Sequence, residues 1–156
     1  MGADPDRWRP EDRAEFYSEL DHPADVLIEV WGRDLPALFE KALFALYDQL
    51  AELEGFEMTR TETIAVRAST PADALRSLLS EALYRFDTGR FVAARADIDV
   101  QTVVADELEV TAVLHGETVD HQRHVLHTEV KAVTYHQLAV EAAPEGGWRA
   151  TVLFDV

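Results

Sequence analysis

The sequence contains no cysteine. That excludes disulfide frameworks, thiolate zinc sites and cysteine nucleophiles. Lysine is almost missing as well, at Lys41 and Lys131 alone, and the basic complement is 14 Lys and Arg against 30 Asp and Glu, a formal net charge of −16. A surface that grips nucleic-acid phosphates or an anionic membrane needs clustered positive charge, so neither partner is expected. No apolar run approaches the roughly 20 residues that cross a bilayer. Residues 1–15 lack the apolar stretch of a secretory signal, and a cytoplasmic location is the expectation. No G-x-S-x-G, glycine-rich phosphate loop or H-E-x-x-H is present. The serines, Ser18, Ser69, Ser77 and Ser80, have no evident base beside them. A self-contained nucleophilic enzyme is poorly supported.

What is there is enough for one packed domain. The chain has 156 residues, of which 47 % are apolar, so a core can form and general disorder is not expected. Residues 1–15 are polar and charged and read as a flexible arm, with Trp8 able to dock. Residues 16–156 read as the domain. Val26, Ile28 and Val30 alternate with their neighbours and predict a strand over 25–31, ended by Gly32. Asp34 is placed to cap a helix whose stripe runs Leu35, Leu38, Phe39, Ala42, Leu43, Leu46, Tyr47 and Leu50. Ile64, Val66 and Ala68 suggest a second strand. Thr70-Pro71-Ala72-Asp73 then opens a second helix through Phe86, closed by Gly89.

The remainder reads as β-structure. Ile98 to Val104 and Leu108 to Leu114 alternate about a tight turn at 105–107, which predicts a hairpin. Residues 115–129 read as a polar, His-rich loop, 130–141 as a strand, Gly146-Gly147 as a turn, and Trp148 to Val156 as the last strand. The fold class is therefore α+β: a mostly antiparallel or mixed sheet of about six strands, with two helices packed on one face.

Three constellations could carry chemistry. Asp21-His22-Pro23-Ala24-Asp25 gathers two carboxylates and an imidazole just before a strand, although Asp and Pro also simply form turns. Asp155 stands one residue before the Val156 carboxylate, and such crowded anions repel unless a cation or donor lies between them. The ordinary alternative is a frayed, solvated terminus. His121, His124 and His127 have a three-residue spacing that a helical turn would gather around zinc. The segment has no helical stripe, and in a strand that spacing separates the rings, so a solvated or partner-contacting loop is the expectation.

Taken together, Asp21 to Asp25 followed by Ile28, Trp31-Gly32 and Leu35 to Phe39, the segment Val130-Lys131-Ala132-Val133-Thr134-Tyr135-His136, and the closing Val152-Leu153-Phe154-Asp155-Val156 resemble the archease family. Leu78 to Phe86 is similar to the family's second helix. The likeness runs from about Glu19 to Val156. Pro23 departs from it, standing where the family usually has Thr, and residues 1–15 are additional. The resemblance implies an archease-like, SHS2-type module that is not itself an enzyme. It implies an activator of an RtcB-type tRNA-splicing or RNA-repair ligase, which promotes guanylylation of the ligase and its multiple turnover. It also implies a divalent-metal site, calcium in the first instance with magnesium or manganese as alternatives, held by Asp25, Asp155 and Val156. Asp21, His22, Lys131, Thr134 and Tyr135 become candidates for contact with the protein partner; no direct binding of nucleic acid is expected, and the oligomeric state is left open. Oxygen donors without thiolate suit such a hard cation. The competing reading is a metal-dependent phosphoester hydrolase built from Asp21, His22, Asp25 and the histidine loop.

Overall fold

A computed structural model of the chain describes residues 4–22 and 24–156. Among these it places three α-helices and eight strands in the order α1 (Asp12–Phe16), β1 (Tyr17–Leu20), β2 (Val26–Gly32), α2 (Leu35–Leu50), β3 (Arg60–Ala68), α3 (Pro71–Gly89), β4 (Phe91–Thr102), β5 (Leu108–Thr118), β6 (Ala132–Val133), β7 (Ala139–Ala142) and β8 (Trp148–Asp155). The class is α+β and every strand pairing is antiparallel.

The two long helices begin where their caps dictate. Asp34 Oδ1 accepts the Ala37 N–H at 2.9 Å, and Thr70 Oγ1 accepts the Asp73 N–H at 3.1 Å. Each thereby satisfies an N–H that the first helical turn leaves unpaired. α2 is buried along most of its length, because it lies against both β2 and β4. α3 keeps a polar side and lies mainly against β3.

The strands form two sheets rather than the single sheet of about six expected. The first has the order β1-β2-β8-β6, with β7 also paired to β8 further along the same strand; the second has the order β3-β5-β4. The turn after β4 contains the left-handed residues Ala105 and Asp106. β5 continues to Thr118, so the first four residues of the loop expected over 115–129 are strand instead. The strand expected over 130–141 is broken in two by a turn through Thr134–Leu138. There the Leu138 N–H bonds the Tyr135 carbonyl at 3.2 Å, and Gln137 is left-handed at φ 57°.

Residues 4–15, expected as a flexible arm, lie against the body instead. A bulge between Ala93 and Arg95 throws the Ala94 carbonyl out of the β4–β5 ladder, and it takes the Trp8 N–H at 2.9 Å. The Trp8 ring, 1 % exposed, packs against Phe44 and Tyr47 of α2, and its Nε1 donates to Glu40 at 3.2 Å. Arg13 then closes a two-pronged bond on the buried Asp48, at 2.7 Å through each nitrogen, and the Tyr17 hydroxyl donates to the same carboxylate at 2.7 Å. Asp48 holds the Arg13 guanidinium firmly protonated, and burial together with Asp48 pushes the Tyr17 hydroxyl up.

Candidate metal and partner site

β2 and β8 come from opposite ends of the sequence and lie side by side. Their register pairs Val26 with Phe154, Ile28 with Val152 and Val30 with Ala150. These inward side chains are apolar and nearly all buried, and that burial fixes the register, since a one-residue slip would turn them outward. Asp25 immediately precedes Val26 and Asp155 immediately follows Phe154, so both lie at the same end of the β2–β8 pair. Asp25, Asp155 and Val156 are each half-buried, and Val156 packs on the edge of the core.

β6 then fastens the other side of this end. The Lys131 N–H donates to the Asp155 carbonyl at 2.7 Å, Ala132 pairs with Asp155, and the Thr134 N–H donates to Leu153 at 3.1 Å. Val130 and Val133 point into the core. Lys131, Tyr135 and His136 are exposed. Thr134 Oγ1 accepts the His136 N–H at 3.1 Å and so shapes the turn. The segment thus positions Asp155 through its backbone and offers Lys131 and Tyr135 to the outside.

The donors that this end can offer a metal are carboxylate oxygens on Asp25 and Asp155, with the Val156 end group following. That chemistry fits a hard divalent cation and leaves positions for water or for a partner's ligands. Among the described residues no group of three or more His, Asp or Glu side chains gathers as a metal site. Two side chains and an end group fall short of such a cluster, so any ion here would be held by few protein ligands.

Asp21 is exposed in the connection between β1 and β2. His22 in the same connection is half-buried, and its Nδ1 is enclosed without a hydrogen-bond partner among the described residues. Pro23 lies outside the described residues. The three loop histidines have separate environments. His124 is buried with its ring stacked 3.7 Å over Phe56; its Nδ1 accepts the Asp120 N–H at 2.8 Å, and its Nε2 lies 3.4 Å from Glu117. His127 pairs with Glu52 at 3.2 Å, and His121 is exposed. The three do not gather as a triad, and His124 is a buried structural side chain of the loop where a solvated or partner-contacting one was expected.

Sequence reasoning missed Arg76. It lies on α3, with its Nε donating to the Val133 carbonyl at 3.2 Å and its guanidinium 3.8 Å from the centre of the Tyr135 ring. A single arginine on a helix carries no sequence signal for such a contact; only the packing of α3 against β6 reveals it.

With this geometry in place, comparison with known proteins is decisive for kinship. The Archease protein family (MTH1598/TM1083) matches residues 17–156. The chain belongs to the archease family. It is 32 % identical over 140 residues to a protein named "Protein archease" from Archaeoglobus fulgidus, covering 90 % of this chain and 98 % of that one. It is 31 % identical over 141 residues to a protein of the same name from Methanopyrus kandleri, covering 90 % and 99 %. The solution structure of protein 1598 of Methanobacterium thermoautotrophicum superposes with a TM-score of 0.76 at 25 % identity, covering 90 % of this chain and 98 % of that one. The family match begins at Tyr17, so the segment carrying Trp8 and Arg13 precedes it. Archease likeness therefore accounts for both sheets and the two long helices, but not for that segment.

Proposed function

We propose that this chain is a non-catalytic activator of an RtcB-type RNA ligase, which it helps to become guanylylated and to turn over repeatedly. Family membership supports a role beside a tRNA ligase in coarse terms. The observation that supports the finer reading is the β2–β8 register, whose last pair, Val26 and Phe154, is flanked by Asp25 and Asp155. A divalent ion held by Asp25, Asp155 and the Val156 end group would supply positive charge at a ligase centre where phosphate is transferred. The protein's own part is to hold those oxygens at a fixed end of a packed sheet and to present Lys131 and Tyr135, with Asp21 and His22, around them. Its acidic surface suits a partner whose RNA-binding face is basic, since opposite fields speed encounter.

The test combines the protein with its cognate ligase, GTP, manganese and an RNA with joinable ends. Substoichiometric amounts should raise the number of RNAs joined per ligase and the fraction of ligase guanylylated; no increase overturns the reading. Asp25→Ala and Asp155→Ala should each abolish the effect with the circular dichroism spectrum unchanged. Calcium and manganese titrations by calorimetry should show a site that both substitutions remove.

A further inference from the structure

α3 and β6 leave a groove between them of about 200 Å³, lined by Arg76, Ser80, Tyr84, Lys131, Ala132 and Val133 among others. Arg76, Ser80 and Tyr84 fall four residues apart and so share one side of α3. The floor is apolar, from Leu83, Ala132 and Val133. Tyr84 lines it at 60 % exposure, and Tyr135, 65 % exposed, lies against Arg76.

Acids outnumber bases about two to one, and most arginines lie within 4.0 Å of a carboxylate. Among the described residues Arg7, Arg9, Lys41, Arg76, Arg90 and Lys131 have no such partner, and of these Arg76 and Lys131 both line this groove. Asp87 lies at the far end of the groove without pairing to either. Arg76 is also held in place: its Nε is tied to the Val133 carbonyl and its guanidinium carbon lies 3.8 Å from the centre of the Tyr135 ring. What remains are the terminal nitrogens of a fixed guanidinium, the geometry that receives a carboxylate through two parallel bonds.

We propose that this groove is a docking site for an acidic segment of the protein partner, with a partner Asp or Glu carboxylate bound by Arg76 and Lys131 and the adjoining chain laid over Tyr84. The proposal rests on the activator reading for the identity of that partner, the ligase. Charge complementarity selects the occupant: two uncompensated cations call for an anion. The −16 charge of the whole molecule repels a polyanionic RNA, whereas a lone acidic side chain on an otherwise basic protein face meets no such barrier. Lys131 reaches this groove from the same segment that fastens Asp155, so docking here would bring the end that carries Asp155 close to the partner.

The experiment measures the affinity of the full-length protein for its cognate ligase by calorimetry, and ligation turnover alongside it. Arg76→Glu should weaken binding about tenfold or more, in line with reversing one member of a close charge pair. Arg76 also braces β6, so Ser80→Glu serves as the second variant: it adds an anion to the groove, removes no contact of Arg76, and should weaken binding comparably. Arg9→Glu, an equal change of net charge on an exposed site elsewhere, should leave affinity within about twofold. Tyr84→p-benzoylphenylalanine should photo-crosslink to an Asp- or Glu-containing ligase peptide. Unchanged binding by both Arg76→Glu and Ser80→Glu, or crosslinks to RNA, to a basic peptide or to a second copy of this chain, would overturn the groove assignment while leaving the activator reading standing. If the wild type neither binds nor stimulates the ligase, the activator reading fails. The groove is then judged alone, by the NMR shifts of the Tyr84 and Tyr135 rings on titration with a short Asp- and Leu-containing peptide; no shift removes it as well.

Discussion

His124 shows how much a single side chain can fasten in a polar loop. Its ring covers Phe56 and its Nδ1 closes the turn at Asp120. With Nδ1 accepting, the ring proton sits on Nε2, toward Glu117. His124→Ala removes the stack and orphans the Asp120 N–H, an expected loss of about 2–4 kcal/mol of stability by urea unfolding; zinc should not change the wild-type midpoint. Glu117 beside it is held below the usual carboxylate range, first by the hydrogen bond from Arg123 and also by the Glu57 N–H. A depressed native value means that its contribution is present at neutral pH. It is lost as pH falls below about 4.3, the ordinary value for Glu, and through the depressed value. Glu117→Gln should therefore be less stable than wild type at pH 7, and the gap should narrow at acid pH. Glu40 works with the opposite sign. Burial raises its carboxyl above the ordinary range even though Trp8 donates to it. The ionised form is thus disfavoured in the native state, and its share of stability declines as pH rises through the raised value. Glu40→Gln keeps an acceptor for Trp8 and should stabilise the protein at pH 7, with the gain fading toward pH 4 in urea midpoints.

At the scale of elements, the segment ahead of β1 acts as a strap across α2 and β4. Trp8→Ala should cost about 3–5 kcal/mol, the usual range for emptying a buried aromatic site, read as a lowered urea midpoint with an unchanged slope. Gly116 sits across from Ala93 at the start of the bulge, and a Cβ there would overlap the Val92 carbonyl oxygen. Gly116→Ala must therefore push β4 and β5 apart, and a fall in both stability and the packing of Trp8 should follow, the latter visible as red-shifted emission. Trp8 stood out as able to dock, but its strap was not readable beforehand, because it lies among charged and turn-forming residues with no period, and a bulge leaves no mark on the alternation around it. The two long helices were readable, since Asp34 and Thr70 carry the caps and the apolar stripes follow at once. The break between β6 and β7 was hidden because Gln137 takes a left-handed conformation that usually calls for Gly or Asn. Of the site, the Asp21–Asp25 turn and the Asp155–Val156 end stood out by their crowded acids, but only likeness to a family joined Asp25, Asp155 and Val156 into one metal site and made Lys131 a contact candidate; physical reading found the two strands but not that they adjoin. Arg76 required the packing of a helix on a two-residue strand.

Over the whole molecule the acid excess is the dominant long-range force. Self-repulsion at −16 opposes compactness. Raising ionic strength from about 0.01 M to about 0.15 M shortens the screening length from about 30 to 8 Å, and the melting temperature should rise over that interval. A flat or falling trend would show that the many surface ion pairs outweigh the repulsion. The two sheets also differ in how much chain must be gathered to build them. β4 and β5 join through a short turn, and β3 is added to them across one helix, whereas β2 hydrogen-bonds to a strand from the other end of the sequence. Pairings so remote are costly to nucleate. The three-stranded sheet is thus expected to assemble early and the five-stranded one late. The seam between β2 and β8 becomes a proof of completion: whatever Asp25 and Asp155 do together, a half-built intermediate cannot do it, and competence arrives in a single step with the closing of the molecule.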